Sequence, residues 1–152
     1  MKKLIFLLTL MLACQMQAQR QEKNIMTNPL NLNYRFQTEG ICRRETADPV
    51  IILFKDRYYL FASHSSGYWS SSNLKDWTFI ATKTLKAVEV WAPAVFVYKD
   101  AVYYLGMGEK RIYKSLNPEK DEWQEIQLDL PGFGDPALFK DTDGREIGRG
   151  HV

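Results

Sequence analysis

The stretch "ADPVIILFKDRYYLF", Ala47 to Phe61, decides the fold because the chain says it again. It returns as "APAVFVYKDAVYYLG" from Ala92 to Gly106, and a third copy opens as "GDPALFKDTDG" from Gly134 to Gly144. Pro49 and Pro93 lie 44 residues apart, Pro93 and Pro136 lie 43, Asp56 and Asp100 lie 44, and Trp77 and Trp123 lie 46. Four markers agree on one unit. Within it, "VIILF" and "AVFVY" read as strands, and "KD" plus one residue as a tight turn. "YYLFAS" and "VYYLGM" read as returning strands, and "GYWSS" and "RIYKS" as third strands. Turn-rich "NLKDW" and "NPEKDEW" then deliver a Trp into fourth strands, "WTFIA" and "WQEIQL".

A four-stranded antiparallel sheet recurring every ~40 to 50 residues is a propeller blade, because so small a sheet buries its faces only by stacking on its neighbours. The predicted fold is therefore all-β, a β-propeller. A β-sandwich is the alternative, but it needs no internal repeat. From Asp48 to Val152 the chain holds two units and the opening strand of a third. The third copy runs into "DGREIGRGHV", with Gly148 and Gly150 where a returning strand is due. The expectation is a truncated or frame-shifted piece whose last residues are foreign to the fold.

With 45% hydrophobic and 13% aromatic residues, the 152-residue chain can build a core. Residues 1–18 read as a secretory signal peptide: "MKK" is a basic start and Leu4 to Ala13 an apolar run too short to span a bilayer. "MLAC", Met11 to Cys14, resembles a bacterial lipobox that would lipidate Cys14; cleavage after Ala18 is the competing site. Either outcome leaves Cys42 without an intramolecular disulfide partner. Export to the periplasm or cell surface follows, with a lipid anchor in the first case. Without Lys2 and Lys3 the 20 basic residues fall to 18 against 18 acidic ones, so charge gives no case for nucleic acid. Residues 19–46 read as a linker or an N-terminal strand around "LNLNYRF", and 47–152 as the partial propeller domain.

The phrases "ADPVIILFKDRYYLFAS", "SSNLKDW", "VWAPAVFVYKDAVYYL" and "DPALFKDTDG", in this order, resemble the N-terminal half of the five-bladed propellers of glycoside hydrolase family 43. The resemblance covers about Arg43 to Gly144, about two and a half of five blades; a full ring would need about 220 residues beyond Asp48. It implies hydrolysis of arabinose, xylose or galactose linkages in plant polysaccharides with inversion at the anomeric carbon. It also implies three carboxylates at the mouth of the central cavity. The Asp of "ADP" in blade one is the family's general base, which falls on Asp48. The Asp of "DP" in blade three tunes the acid's pKa, which falls on Asp135. The family's general acid is a Glu of a later blade, which the sequence does not reach, so the chain is expected to be inactive by itself. The alternative is a non-catalytic carbohydrate-binding fragment. Some relatives hold a structural calcium at the centre, but no ligand set for one is visible, and no other cofactor or protein partner is implied.

The repeat supports part of this independently. Blade two writes Ala92 where blades one and three write Asp48 and Asp135, so the strand start does not require a carboxylate. Equivalent inner-strand positions face the propeller axis, and inverting hydrolysis needs acid and base ~6.5 to 9.5 Å apart. Trp91 in "VWAP" is a candidate sugar-stacking residue with inter-blade packing as the competing role. His64 is a candidate cleft residue, and Glu89, just before Trp91, a candidate substrate contact rather than the acid. Glu45 is likewise not assigned as the acid. Trp77 and Trp123 recur in both units and are structural, and Tyr68 and Trp69 lean toward packing. Phosphate-loop, metal-spacing and nucleophile-elbow motifs are absent.

Overall fold

The protein is described by a computed structural model covering residues 32, 46–127, 129, 132–140 and 146–151, with backbone alone at 139, 140 and 146–151. The signal peptide, Cys14, Cys42 and Glu45 lie outside these residues. Two four-stranded antiparallel sheets follow one another, each a simple meander. The first holds β1 (Val50–Phe54), β2 (Arg57–Phe61), β3 (Gly67–Ser71) and β4 (Thr78–Ala81). The second holds β5 (Ala94–Tyr98), β6 (Ala101–Leu105), β7 (Arg111–Asn117) and β8 (Glu122–Gln127). The two sheets are the two blades that the repeat predicts. Their first turns are a residue tighter than expected: Arg57 and Ala101 already pair in the returning strands. Lys55 and Asp56 both have positive φ, 48° and 61°, the two-residue turn whose twist matches the flanking strands.

The third copy corrects the sequence reading. β9 (Gly134–Lys140) is answered by β10 (Glu146–His151), which pairs with it antiparallel through Gly148, while Gly150 falls at a register irregularity between Arg149 and His151. A ladder is made of backbone groups, so glycine can join it although it packs nothing and weakens the strand. β1 lies beside β5, and β5 beside β9, so the opening strands of the three units are neighbours.

Strand alternation sorts each sheet into two faces. In blade one, Phe54, Tyr59, Phe61 and Tyr68 face blade two, where Val95, Val102, Tyr104, Tyr113 and Trp123 meet them in one core. The opposite face gathers Leu60, Ala62, Trp69 and Trp77, and Leu32 packs onto it. Tyr68, Trp69, Trp77 and Trp123 are thus all buried. Blade two's far face repeats blade one's inter-blade pattern as Phe96, Tyr98, Tyr103 and Ile112, yet these stay half-buried whereas Tyr59, Phe61 and Tyr68 are covered.

Polar bonds fix the stacking. The Tyr68 hydroxyl donates to the Pro118 carbonyl at 2.6 Å and accepts the Trp123 indole N–H at 3.0 Å. Asp121, left-handed at φ 56°, ends the 3₁₀ turn Pro118–Lys120 and turns its carboxylate to the inter-blade loop. It accepts the amides of Lys83 (2.7 Å) and Thr84 (3.3 Å) and the Thr82 hydroxyl. Asp121→Ala removes these bonds and puts Ala in a left-handed position, so we expect a loss of about 2–3 kcal/mol by urea unfolding. Asp121→Asn, which keeps an acceptor and tolerates the conformation, should lose less than half of that.

Arg57 pairs with Glu119 of blade two at 3.0 Å, and the Tyr59 hydroxyl reaches the same carboxylate at 3.3 Å. Burial, with the Glu119 charge beside it, pushes the Tyr59 phenol up to about 12, and burial raises Tyr68 as well. A phenol whose folded pKa exceeds its unfolded value keeps its proton in the fold. Stability is therefore whole below about pH 10 and falls as pH rises toward about 12. Urea midpoints across that interval should show the fall, and Tyr59→Phe should make it shallower.

Candidate functional site

Asp48, Ala92 and Asp135 each stand before a proline at the start of an inner strand, and all three take a left-handed backbone, φ 52°, 48° and 44°. That conformation costs an ordinary residue about 1–2 kcal/mol, less for Asp, whose short side chain can bond locally. Blade two adopts it with Ala92, so the bend belongs to the fold and a carboxylate there does not. The Asp48 carboxylate is not spent on its own turn either. Its Oδ2 accepts a hydrogen bond at 3.0 Å from the hydroxyl of Ser63, which follows β2, and that hydroxyl accepts the Ala92 amide at 2.9 Å. Ser63 is fully buried, while Asp48 is exposed.

The same rim repeats unit by unit. The Ser63 amide donates to the Ala47 carbonyl at 2.9 Å, and one blade on the Met107 amide donates to Trp91 at 2.9 Å. The Gly108 amide then donates to Phe133 at 2.8 Å, joining blade two to the start of β9. Asp48, Ala92 and Asp135 therefore lie along one rim of neighbouring blades, and Asp135 too is exposed.

Trp91 is 43% exposed, large for an indole. The half-buried His64 ring meets it edge-on, centroids 4.1 Å apart, although the two residues come from different blades. Behind it, Gly106 leaves room for Val90: a Cβ at Gly106 would come within 2.0 Å of Val90 Cγ2, so a side chain there would push on the residue next to Trp91. Trp91 thus both touches a ring of the neighbouring blade and keeps part of its indole open to solvent. Met107, also exposed at 40%, adds apolar surface to this rim. Glu89 closes the 3₁₀ turn Lys86–Glu89 on the backbone, but its side chain lies outside the described residues. The sequence reading passed over Ser63 and Met107. The signal was available, since these two occupy the same repeat position, as Asp48 and Ala92 do.

An exposed indole with an imidazole at its edge, beside an oriented carboxylate, can stack on the C–H face of a ring and direct a base toward it. Among the described residues no three His, Cys, Asp or Glu side chains gather as a metal site.

No family model matches the chain, and no curated protein matches it. Solved structures do. A bifunctional GH43-CE protein of Bacteroides eggerthii superposes with a TM-score of 0.54 at 20% identity, over 68% of this chain and 18% of that one. The GH43 protein BlXynB of Bacillus licheniformis gives 0.52 at 20% identity, over 68% of this chain and 26% of that one. At such identity the likeness is one of fold: the sheets stack as propeller blades of GH43 proteins do, and the chain spans about a fifth to a quarter of those proteins' length.

Proposed function

We propose that these blades carry part of the catalytic rim of an inverting glycosidase that acts on plant polysaccharides, at arabinose, xylose or galactose linkages. The observation that carries this reading is Asp48, exposed at the rim and held by a buried hydroxyl beside Trp91, at a position where blade two folds with alanine. Likeness to GH43 folds supports the reaction class.

In this reading Asp48 takes a proton from water as that water attacks the anomeric carbon, and Trp91 with His64 stacks on the sugar to fix its approach. Asp135 serves the general acid, a carboxyl expected from a blade other than these three, by raising its pKa and orienting it. The base acts on one face of the sugar and the acid on the other, so the product is inverted. We also place the protein outside the cytoplasm, because of its basic start and short apolar run, with Cys14 as the lipid attachment point.

A leaving group that needs no proton isolates the work of the base. The test is hydrolysis by the 152-residue chain of 2,4-dinitrophenyl α-L-arabinofuranoside and β-D-xyloside, compared with the 4-nitrophenyl glycosides. We expect the 4-nitrophenyl glycosides to stay intact, as the sequence expectation of a chain inactive by itself requires, and only the activated dinitrophenyl substrates to turn over, with the inverted anomer appearing first by NMR. Binding of oligosaccharide without any turnover of the activated substrates would replace this reading with a carbohydrate-binding one.

A further inference from the structure

The bond between Asp48 and Ser63 has a counterpart in blade two that shows what it is for. There the two positions hold Ala92 and Met107, and the backbone bond from Met107 to Trp91 repeats the one from Ser63 to Ala47 at the same 2.9 Å. The fold is thus equally served by Ala with Met, and both polar partners are missing together where one would be useless alone. A buried hydroxyl must be hydrogen-bonded to be tolerated. Ser63 meets that need through one directed chain: the Ala92 amide of blade two donates to Oγ, and Oγ donates its only proton to Asp48 Oδ2.

We infer that Ser63 is a positioning residue which sets the orientation of Asp48 from the backbone of the next blade, so that the base is correctly aimed only when blades one and two are stacked. This rests on the reading of Asp48 as the base. The chain has a fixed polarity, N–H to hydroxyl to carboxylate. Ionising the carboxylate strengthens the Ser63 bond and, through polarisation of the hydroxyl, the Ala92 bond. The Ala92 amide, in blade two, therefore reports the charge on a side chain of blade one. His64, adjacent to Ser63 and in ring contact with Trp91, and Asp135, on the same rim in the unit beyond Ala92, are titratable groups to be told apart from Asp48.

The test is an NMR titration of the full chain with no sugar present, following the Asp48 carboxyl carbon, the Ala92 amide and, as separate markers, the His64 ring and the Asp135 carboxyl carbon. We expect the Ala92 amide to move with the midpoint of Asp48 and not with that of His64 or Asp135. Ser63→Ala should abolish the Ala92 movement while the Asp48 carbon still titrates, and Ser63→Thr should restore it. Should Ser63→Ala not fold, Asp48→Asn serves in its place, since it should abolish the Ala92 movement with Ser63 intact. An Ala92 titration undiminished in either variant, or one that follows His64 or Asp135, overturns the inference. On the dinitrophenyl glycosides Ser63→Ala should lower kcat about three- to tenfold, the worth of one hydrogen bond, with KM unchanged. An unchanged kcat beside a lost Ala92 titration also overturns it. If the wild-type chain turns over nothing while the coupling is present, the base reading has failed and the Asp48–Ser63–Ala92 link has not.

Discussion

Trp123→Ala should remove about 3–5 kcal/mol of stability, enough to take most of what a domain of this size holds. Trp123 opens the fourth strand of blade two but spends its ring on blade one. The indole is 7% exposed. It meets Phe61 edge-on at 6.0 Å, Tyr68 at 5.9 Å and Tyr104 at 6.3 Å. Truncation therefore opens a cavity in the seam between sheets, where neither sheet can relax without unstacking. Its N–H adds a bond to the Tyr68 hydroxyl. Trp123→Phe should keep most of the ring packing and lose about 1 kcal/mol for that bond, because the Tyr68 hydroxyl retains the Pro118 carbonyl. Urea unfolding followed by far-UV circular dichroism checks both. A loss below about 1 kcal/mol in Trp123→Ala would mean that the blades do not depend on this seam.

The repeat made both blades legible because period and alternation are local properties of the chain. Trp77 and Trp123 declared themselves by recurring, and they are buried at equivalent positions. Strand β10 was not legible: Gly148 and Gly150 argue against a strand by propensity, while pairing with β9 is decided by a neighbouring backbone. The same divide separates the site residues. That Asp48 is a candidate was readable because one letter varies among three equivalent positions. The facing of His64 and Trp91 was not readable, because residues far apart in sequence meet only when consecutive blades stack. Trp91 alone could as well have packed inward; the bonds that hold the rim, from Met107 to Trp91 and from Ala92 to Ser63, leave its ring exposed. Ser63 looked like the end of a strand, since a serine's worth is set by what its hydroxyl reaches.

Asp48→Asn should cost the activated-glycoside reaction about 10²- to 10⁴-fold in kcat/KM, the usual contribution of a general base. The amide is nearly the same size and still accepts a bond from Ser63, so the rim should keep its shape and only the proton acceptor is lost. Asp135→Asn sets the contrast. Dinitrophenolate leaves without protonation, so a residue whose task is to tune the acid has nothing to act on, and its loss should change kcat/KM less than about threefold. The wild-type, Asp48→Asn and Asp135→Asn chains, compared on 2,4-dinitrophenyl α-L-arabinofuranoside and β-D-xyloside, thus test the central claim in one assay. Loss in Asp48→Asn alone, with an inverted first product from the wild type, is the predicted result. Equal rates for wild type and Asp48→Asn, or a product of retained configuration, would contradict it.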